Sequence, residues 1–192
     1  MIEKITPRDR RAWLKAREQD VTASTVGALF GAHDFLTLYE LWAIKTGRIP
    51  SSSEETPAMR RGRLLEPVAA QILREDRPDW VIHHNAAENV YYRDTEARLG
   101  ATPDFLVEAP GLGLGVVQVK SVEQSFYRKK WLNEEGYAEA PLWIALQATQ
   151  EAHLVGASWA AVAPIVVGFG IDMPLIDVPL IPGVWEEIRE KT

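Results

Sequence analysis

The sequence predicts a mixed α/β domain in which a central mixed β-sheet is flanked by helices. Three observations lead to this prediction. The first third follows helical spacing, the middle changes to short strand-like runs joined by a glycine-rich turn, and the last third alternates helical and apolar strand-like segments. A chain of 192 residues suits a single domain. We divide it into an N-terminal helical part (1–56), a catalytic core (57–167) and a C-terminal strand and helix (168–192).

Three helices are predicted near the N-terminus. Asp9 is placed to cap a helix that runs through residue 17. The hydroxyl side chains within 22–24 offer caps for a short helix over 26–30. Apolar residues between 38 and 45 follow helical spacing, and Gly47 is suited to end that third helix.

The clearest helical pattern of the chain follows Pro57. The stretch 49–57, rich in serine and glutamate, predicts a surface loop before it. Beyond Pro57, apolar side chains recur at the spacing that places them on one face of a helix. These residues are Leu65, Val68, Ala69, Ile72 and Leu73.

The middle of the chain changes to strand character. Runs at 90–93, 99–107 and 114–122 predict strands, and the Pro-Gly-Leu-Gly sequence at 110–113 predicts a hairpin between the last two. The C-terminal third then predicts a helix pair, further strand and a short final helix. The ranges are 124–133 and 141–154 for the helices, 158–167 and 168–178 for strands, and 184–191 for the last helix.

Composition limits the classes of function. The chain has no cysteine, which excludes disulfides, thiolate zinc sites and a cysteine nucleophile and fits a reducing cytoplasm. No apolar run approaches the roughly 20 residues of a membrane helix, and the first residues lack a signal-peptide core. The net charge of −6 argues mildly against a protein that coats nucleic acid, but an enzyme can concentrate its few cations in one groove.

The residues with most chemical interest are Asp104, Gln118 and Lys120. Positions 118 and 120 are two apart in a strand, so both side chains leave on the same face. Burying an unpaired lysine or amide is costly, and Asp104 on the adjacent strand would offset that cost. A carboxylate, an amide oxygen and an ammonium group would then converge, and oxygen donors of this kind suit Mg²⁺ or Mn²⁺. The competing interpretation is a structural Asp104–Lys120 ion pair.

Other polar residues lie beside predicted apolar faces. Glu66 flanks the apolar stripe of its helix, either reaching toward a metal site or merely solubilising the helix edge. Gln147 and Gln150 lie in an otherwise apolar helix, where they would either find polar partners in a site or face the surface. A basic turn at 60–63 is either solvated or in contact with phosphate.

Six short motifs, in order along residues 13–160, resemble the YqaJ-type viral recombinase family. These relatives of phage lambda exonuclease belong to the PD-(D/E)XK nuclease superfamily, which implies a restriction-endonuclease-like core. No single motif is specific, but their shared order is. The motifs are Trp13 with Arg17 and 21–24; 38–42; Gly62 with 66–69; 99–104; 117–120; and 147–156 with Trp159.

The resemblance implies roles for individual residues. Asp104 would be the central metal ligand, with position 118, the Val119 carbonyl and Glu66 as further metal contacts. Lys120 would orient the attacking water, and Gln147 would contact a metal-bound water or the scissile phosphate. Arg17 and Ser24 would grip a terminal 5′-phosphate; we also place both near a helix N-terminus, which favours anions.

Two departures from the family pattern qualify this expectation. The family carries a glutamate where this chain has Gln118, which brings no negative charge to a metal ion. Gln118 is therefore a natural variant that still cuts, a mark of an inactive relative, or a substitution that traps a complex. The chain also lacks a basic residue soon after Lys120; the next, Arg128 to Lys130, come later.

The expected function is a Mg²⁺- or Mn²⁺-dependent exonuclease acting on double-stranded DNA ends in phage-type recombination. Two alternatives remain open: a related endonuclease, and a DNA-binding module that has lost catalysis through Gln118. From the family alone we also expect a ring-forming homo-oligomer and a single-strand annealing protein as partner.

Overall fold

The computed structural model describes residues 1–50 and 55–192. These residues form two β-sheets with helices packed between and around them, so the predicted mixed α/β class is confirmed. The central mixed sheet is present, and a second, smaller sheet accompanies it.

The larger sheet carries the predicted hairpin at its centre. Its strand order is β10-β8-β7-β6-β3, and β9 pairs with the end of β8. The β7–β8 pair is parallel and the other pairs are antiparallel. The strands are β3 (Val81–His84), β6 (Phe105–Ala109), β7 (Gly113–Glu123), β8 (Trp159–Val167), β9 (Ile171–Asp172) and β10 (Ile176–Val178).

The smaller sheet gathers short strands from distant parts of the chain. Its order is β1-β4-β5-β2, with β2 and β5 parallel and the other pairs antiparallel. The strands are β1 (Ile2–Ile5), β2 (Val21–Thr22), β4 (Tyr91–Asp94) and β5 (Leu99–Ala101). The N-terminal part (1–56) therefore contributes β1 and β2, which we did not predict, besides its helices.

The helices divide the core into three regions. The helices are α1 (Arg10–Arg17), α2 (Leu38–Lys45), α3 (Pro57–Asp76), α4 (Gln124–Lys130), α5 (Leu142–Val155) and α6 (Pro182–Lys191), with 3-10 helices at Ala23–Phe30 and Ala86–Glu88. Helix α3 packs its predicted apolar face on one side of the larger sheet. Helix α5 covers the other side and also packs against the smaller sheet and α6. Most of α5 is therefore buried.

Several predicted boundaries are confirmed. Asp9 caps α1, since its Oδ1 accepts a hydrogen bond from the Ala12 N–H at 2.8 Å. Helix α2 ends at Lys45, and Gly47 follows with φ of 69°, a conformation that favours glycine. The hairpin turn lies between β6 and β7 as predicted. Of the predicted surface loop 49–57, residues 51–54 lie outside the described part of the chain.

Other boundaries differ from the prediction. The run 99–107 is not one strand, because Thr102–Asp104 separate β5 from β6, which belong to different sheets. The helix predicted over 26–30 begins at Ala23 as a 3-10 helix, so Ser24 lies within it and Thr22 makes no side-chain cap.

The remaining differences are smaller. The run 168–178 contains two short strands, and the helix from 124 ends at Lys130. The arginines of 60–63 lie within helix α3 and not in a turn. In the described residues, no helix combines the length and apolarity needed to cross a bilayer.

Candidate active site

The start of β6 brings Asp104 against the centre of β7. Phe105 pairs with Val117, so Asp104 lies opposite Gln118. Oδ2 of Asp104 accepts hydrogen bonds from the Val119 backbone N–H at 2.8 Å and from the Gln118 side-chain amide. The buried side chain of Asn85 holds the backbone just before Asp104, since its Nδ2 donates to the Pro103 carbonyl at 2.9 Å. The carboxylate is therefore fixed by the hairpin and by the link that precedes it.

Gln118 is buried, and only the nitrogen of its side-chain amide is hydrogen-bonded among the described residues. Its Nε2 donates to Asp104 and to the Val119 carbonyl, the latter at 3.2 Å. Its Oε1 is buried without a hydrogen-bond partner among the described residues. A buried unpaired oxygen is costly, and a half-turn of the amide exchanges the positions of nitrogen and oxygen. Position 118 thus offers either a donor or an oxygen ligand beside Asp104.

Lys120 does not pair directly with Asp104. Its Nζ donates to Oε1 of Gln147 at 2.8 Å and lies 5.8 Å from the ring centre of Trp143. Burial lowers the pKa of Lys120, and the carboxylates of Asp104 and Glu151 act in the opposite direction. The simple ion-pair interpretation is therefore wrong, because the ammonium group is held by a neutral amide.

Gln147 is hydrogen-bonded both to Lys120 and to the buried acid Glu151. Its Oε1 accepts from Lys120, and its Nε2 donates to Oε1 of Glu151 at 2.8 Å. Glu151 is only 1% exposed, and its Oε2 has no partner in the described part of the chain. Burial raises the pKa of Glu151 to about 8, and the charge of Asp104 contributes. We did not predict Glu151 from the sequence, although a charge four residues after Gln147 on an apolar helix was a usable signal.

Glu66 approaches Asp104 from α3, which packs on the opposite side of the larger sheet from α5. Its carboxylate forms a close hydrogen bond with Nε2 of His84, which ends β3 and packs on Phe105 with ring centres 4.8 Å apart. Burial raises the pKa of Asp104 to about 7; Lys120 lowers it and the charge of Glu66 raises it further. Glu66 is therefore close enough for its charge to act on Asp104. His84 was missed because its strand was not predicted.

Arg17 and Ser24 come together as expected. Arg17 Nη2 donates to Ser24 Oγ at 3.4 Å, and the guanidinium carbon lies 4.0 Å from the ring centre of Trp13. Trp13 in turn donates from Nε1 to Thr102 Oγ1 at 2.9 Å, in the link that leads to Asp104. Ser24 is the second residue of its 3-10 helix, and Arg17, the last residue of α1, reaches the N-terminal end of that helix through its side chain.

Two other groups of polar residues serve the fold. Gln150 donates to the Val21 and Gly100 carbonyls, both at 3.0 Å, and so links α5 to the smaller sheet. Arg61 Nε donates to Ser121 Oγ at 2.7 Å, and Arg63 pairs with Glu55 at the surface. Arg61 therefore links α3 to β7, whereas Arg63 stays exposed to solvent.

The oxygen donors of the site come from different chemical groups. Across residues 1–50 and 55–192, no three histidine, aspartate or glutamate side chains are grouped closely enough to hold one metal ion. The Gln118 amide oxygen and the Val119 carbonyl would be further donors for an ion at Asp104. Both are hard oxygen donors of the kind that Mg²⁺ and Mn²⁺ accept.

Comparison with known proteins gives matches to one family and one fold. The family model described as YqaJ-like viral recombinase domain matches residues 12–158. The uncharacterized protein YqaJ of Bacillus subtilis (strain 168) is 31% identical over 71 residues. That match covers 37% of this chain and only 22% of the relative, so it spans well under two thirds of the relative's length.

The fold is similar to that of an alkaline exonuclease, LHK-Exo from Laribacter hongkongensis. Its crystal structure gives a TM-score of 0.65 at 19% identity, covering 94% of this chain and 90% of that chain. The structure of LHK-Exo in complex with dAMP gives the same TM-score and coverage at 18% identity. At this level of identity the likeness shows a shared fold.

Proposed function

Because the chain belongs to the family of YqaJ-like viral recombinase domains, we propose that it is a metal-dependent nuclease that hydrolyses phosphodiester bonds at the ends of double-stranded DNA. The observation that carries the proposal is the meeting of Asp104, Gln118 and Lys120 where β6 and β7 pair. An acid, an amide and an ammonium group on one face of a sheet form a site for a phosphate, a cation and a water molecule.

The donor set fits Mg²⁺ or Mn²⁺. Asp104 supplies a buried carboxylate, Gln118 an amide oxygen that has no partner within the described residues, and Val119 a backbone carbonyl. Glu66 would assist from α3, either directly or through water. A bound ion would polarise the scissile phosphate and offset charge on the leaving oxygen.

Lys120 is suited to orient the attacking water. Of its three ammonium donors, one is used by Oε1 of Gln147, which leaves two for a water molecule or a phosphate oxygen. Gln147 is itself fixed by Glu151. In this arrangement Gln147 acts on the substrate through Lys120, so we assign it a positioning role in place of the contact with a metal-bound water or the scissile phosphate that the resemblance implies.

Arg17 and Ser24 are suited to bind a terminal 5′-phosphate. The guanidinium group lies on the Trp13 ring and leaves donors beyond the one shared with Ser24. A guanidinium and a hydroxyl together match the oxygens of a phosphate. Trp13, which packs on the Arg17 guanidinium, is hydrogen-bonded to Thr102, two residues before Asp104. The candidate phosphate-binding residues are therefore connected to the candidate catalytic centre through this hydrogen bond.

The direct experiment is digestion of linear duplex DNA in Mg²⁺ or Mn²⁺, with and without a 5′-phosphate. We expect release of nucleotides from phosphorylated ends, while a supercoiled plasmid stays intact. Cutting of the plasmid would favour the endonuclease alternative. Metal-independent binding to both DNAs without cleavage would favour a binding module. As the family would imply, we also propose a homo-oligomer and a single-strand annealing protein as partner, both testable by sedimentation.

A further inference from the structure

An aromatic cluster of His33, Phe35 and Trp143 lies beside Lys120. The rings of His33 and Trp143 are 4.6 Å apart, and Phe35 makes an edge-to-face contact with Trp143 at 6.3 Å. Trp143 is also the ring nearest Lys120, with Nζ 5.8 Å from its centre. A series of rings therefore runs from the candidate catalytic lysine to the surface.

The ring of His33, between Trp143 and Phe35, is hydrogen-bonded through both of its nitrogens. Nε2 of His33 meets the Ser24 carbonyl at 3.1 Å, and Nδ1 of His33 accepts from the Phe35 backbone N–H, also at 3.1 Å. Burial lowers the pKa of His33, and the charge of Lys120 lowers it further, which favours the neutral ring that this pairing requires. Asp34 forms an ion pair with Lys130 of α4 at 3.7 Å. The backbone at Phe35 is thus anchored by the side chains of His33 and Asp34.

Phe35 is nonetheless exposed over 76% of its surface. A single exposed aromatic side chain is ordinary. Phe35 differs because it contacts Trp143, which lies beside Lys120. Its backbone N–H is also hydrogen-bonded to His33, which contacts Ser24. An edge-to-face contact with Trp143, combined with this exposure, leaves much of the Phe35 ring free for another planar group.

We propose that Phe35, supported by Trp143, is a stacking platform for a nucleobase of the strand whose phosphate reaches Lys120. The inference rests on the proposed nuclease function and adds to it a binding subsite for the base. Two cations border the cluster and favour a polyanion: Lys120 lies beside Trp143, and Arg17 is bonded to Ser24, which also contacts His33. Aromatic faces beside cations are how proteins hold unpaired nucleotides without reading their sequence.

The test is a binding measurement that needs no cleavage. A 5′-phosphorylated duplex carries 2-aminopurine as its terminal base, and fluorescence is recorded with Ca²⁺ in place of Mg²⁺ and, in parallel, with EDTA. Stacking on an aromatic ring lowers 2-aminopurine fluorescence. The variants are Phe35→Ala, Phe35→Leu and Phe35→Trp. Leu112→Ala is the matched control, because Leu112 is 56% exposed at the opposite end of the β6–β7 hairpin.

We expect quenching with the unchanged protein, Phe35→Trp and Leu112→Ala, and its loss with Phe35→Ala and Phe35→Leu. Affinity should fall about tenfold in Phe35→Ala, within the range of one lost base stack. Unchanged thermal unfolding of Phe35→Ala is expected from its exposure and makes the comparison valid. Quenching and affinity in Phe35→Ala equal to those of Leu112→Ala overturn the proposal.

Three further outcomes have defined meanings. If Phe35→Ala changes the sedimentation of the protein but not the quenching, the ring belongs to a contact between copies, and the platform is refuted. If quenching depends on Phe35 but linear DNA is never cut in Mg²⁺ or Mn²⁺, the base subsite stands and the nuclease function fails. If linear DNA is cut but neither quenching nor binding depends on Phe35, the nuclease function stands and the base subsite fails.

Discussion

The side-chain amide of Gln118 donates a hydrogen bond to Oδ2 of Asp104, at the position where the family resemblance calls for a second acid. The contact shows how this chain holds Asp104 through neutral donors, since the other hydrogen bond to Oδ2 comes from the Val119 backbone. It also leaves Oε1 of Gln118 buried and without a partner in the described residues. The predictions below follow from this centre and its surroundings.

The first prediction concerns Lys120. Lys120→Ala should lower cleavage of linear duplex DNA by at least about 100-fold, because the positioned donor for the attacking water is lost. Thermal unfolding should change only modestly, since the cost is one unpaired oxygen on Gln147, about 1–3 kcal/mol. Lys129→Ala, an exposed lysine on α4, is the control and should cut at the normal rate. Normal turnover in Lys120→Ala would remove this residue from the mechanism.

The second prediction concerns Arg17. The unchanged protein should degrade 5′-phosphorylated ends faster than 5′-hydroxyl ends, and Arg17→Ala should erase that preference, because the guanidinium group next to Ser24 is lost. Loss of a charge-assisted contact of this kind corresponds to roughly a tenfold change or more. The control is Lys15→Ala, which removes an exposed charge from the same helix. Equal rates on both kinds of end in the unchanged protein refute the assignment.

The third prediction concerns the buried carboxyl of Glu151. Its pKa is raised from 4.5 to about 8 in the folded chain, so between these values the folded state binds more protons than the unfolded state. The stability it contributes is therefore complete below about pH 4.5 and is lost as the pH rises through about 8. Glu151→Gln imitates the neutral acid and keeps an oxygen for Gln147.

Glu151→Gln should flatten the fall in unfolding temperature between pH 5 and 9 and raise that temperature at the alkaline end. Each kcal/mol should appear as about 2–4 °C in a domain of this size. Glu75→Gln is a matched control, because Gln71 donates to Glu75 in the same i, i+4 arrangement at 2.8 Å on an exposed surface. An equal pH profile in Glu151→Gln and the unchanged protein contradicts the assignment of Glu151 as a buried, largely protonated acid.

The sequence predicted the centre of the site because strand alternation is a local property. Gln118 and Lys120 share a strand face, and the 110–113 turn brings Asp104 opposite them. His84 and Glu151 were not predicted for two different reasons. The four-residue strand that carries His84 shows no apolar pattern strong enough to identify it, and Glu151 lies in a helix buried on several sides, where periodicity gives no direction.

The smaller sheet was missed because its order depends on contacts between distant segments. Ile2–Ile5 pair with Tyr91–Asp94, and the two residues of β2 pair with β5 only through the tertiary fold. The break at Thr102–Asp104 was hidden by apolar residues on both sides of it, although Pro103 disfavours an uninterrupted strand. Short strands of this kind obtain their stability from packing and not from their own sequence.

The fourth prediction concerns metal affinity. Gln118→Glu should bind Mn²⁺ and Mg²⁺ more tightly, because it adds a negative charge beside Asp104. Two unit charges about 4 Å apart interact by about 4 kcal/mol at the effective dielectric of a protein surface. Rearrangement of water and ligands will offset part of that gain, so we expect metal affinity measured by calorimetry to rise by at least about tenfold. Mn²⁺ should bind more tightly than Mg²⁺ in both forms.

The measurement that tests the central claim most directly is digestion of 5′-phosphorylated linear duplex DNA in Mn²⁺ by three proteins: the unchanged chain, Gln118→Glu, and Gln118→Glu combined with Asp104→Ala. We predict that Gln118→Glu cuts faster than the unchanged chain and that removal of Asp104 abolishes cutting in the double variant. A Gln118→Glu rate equal to or below that of the unchanged chain, or cutting that survives the loss of Asp104, contradicts a catalytic centre built on these two residues.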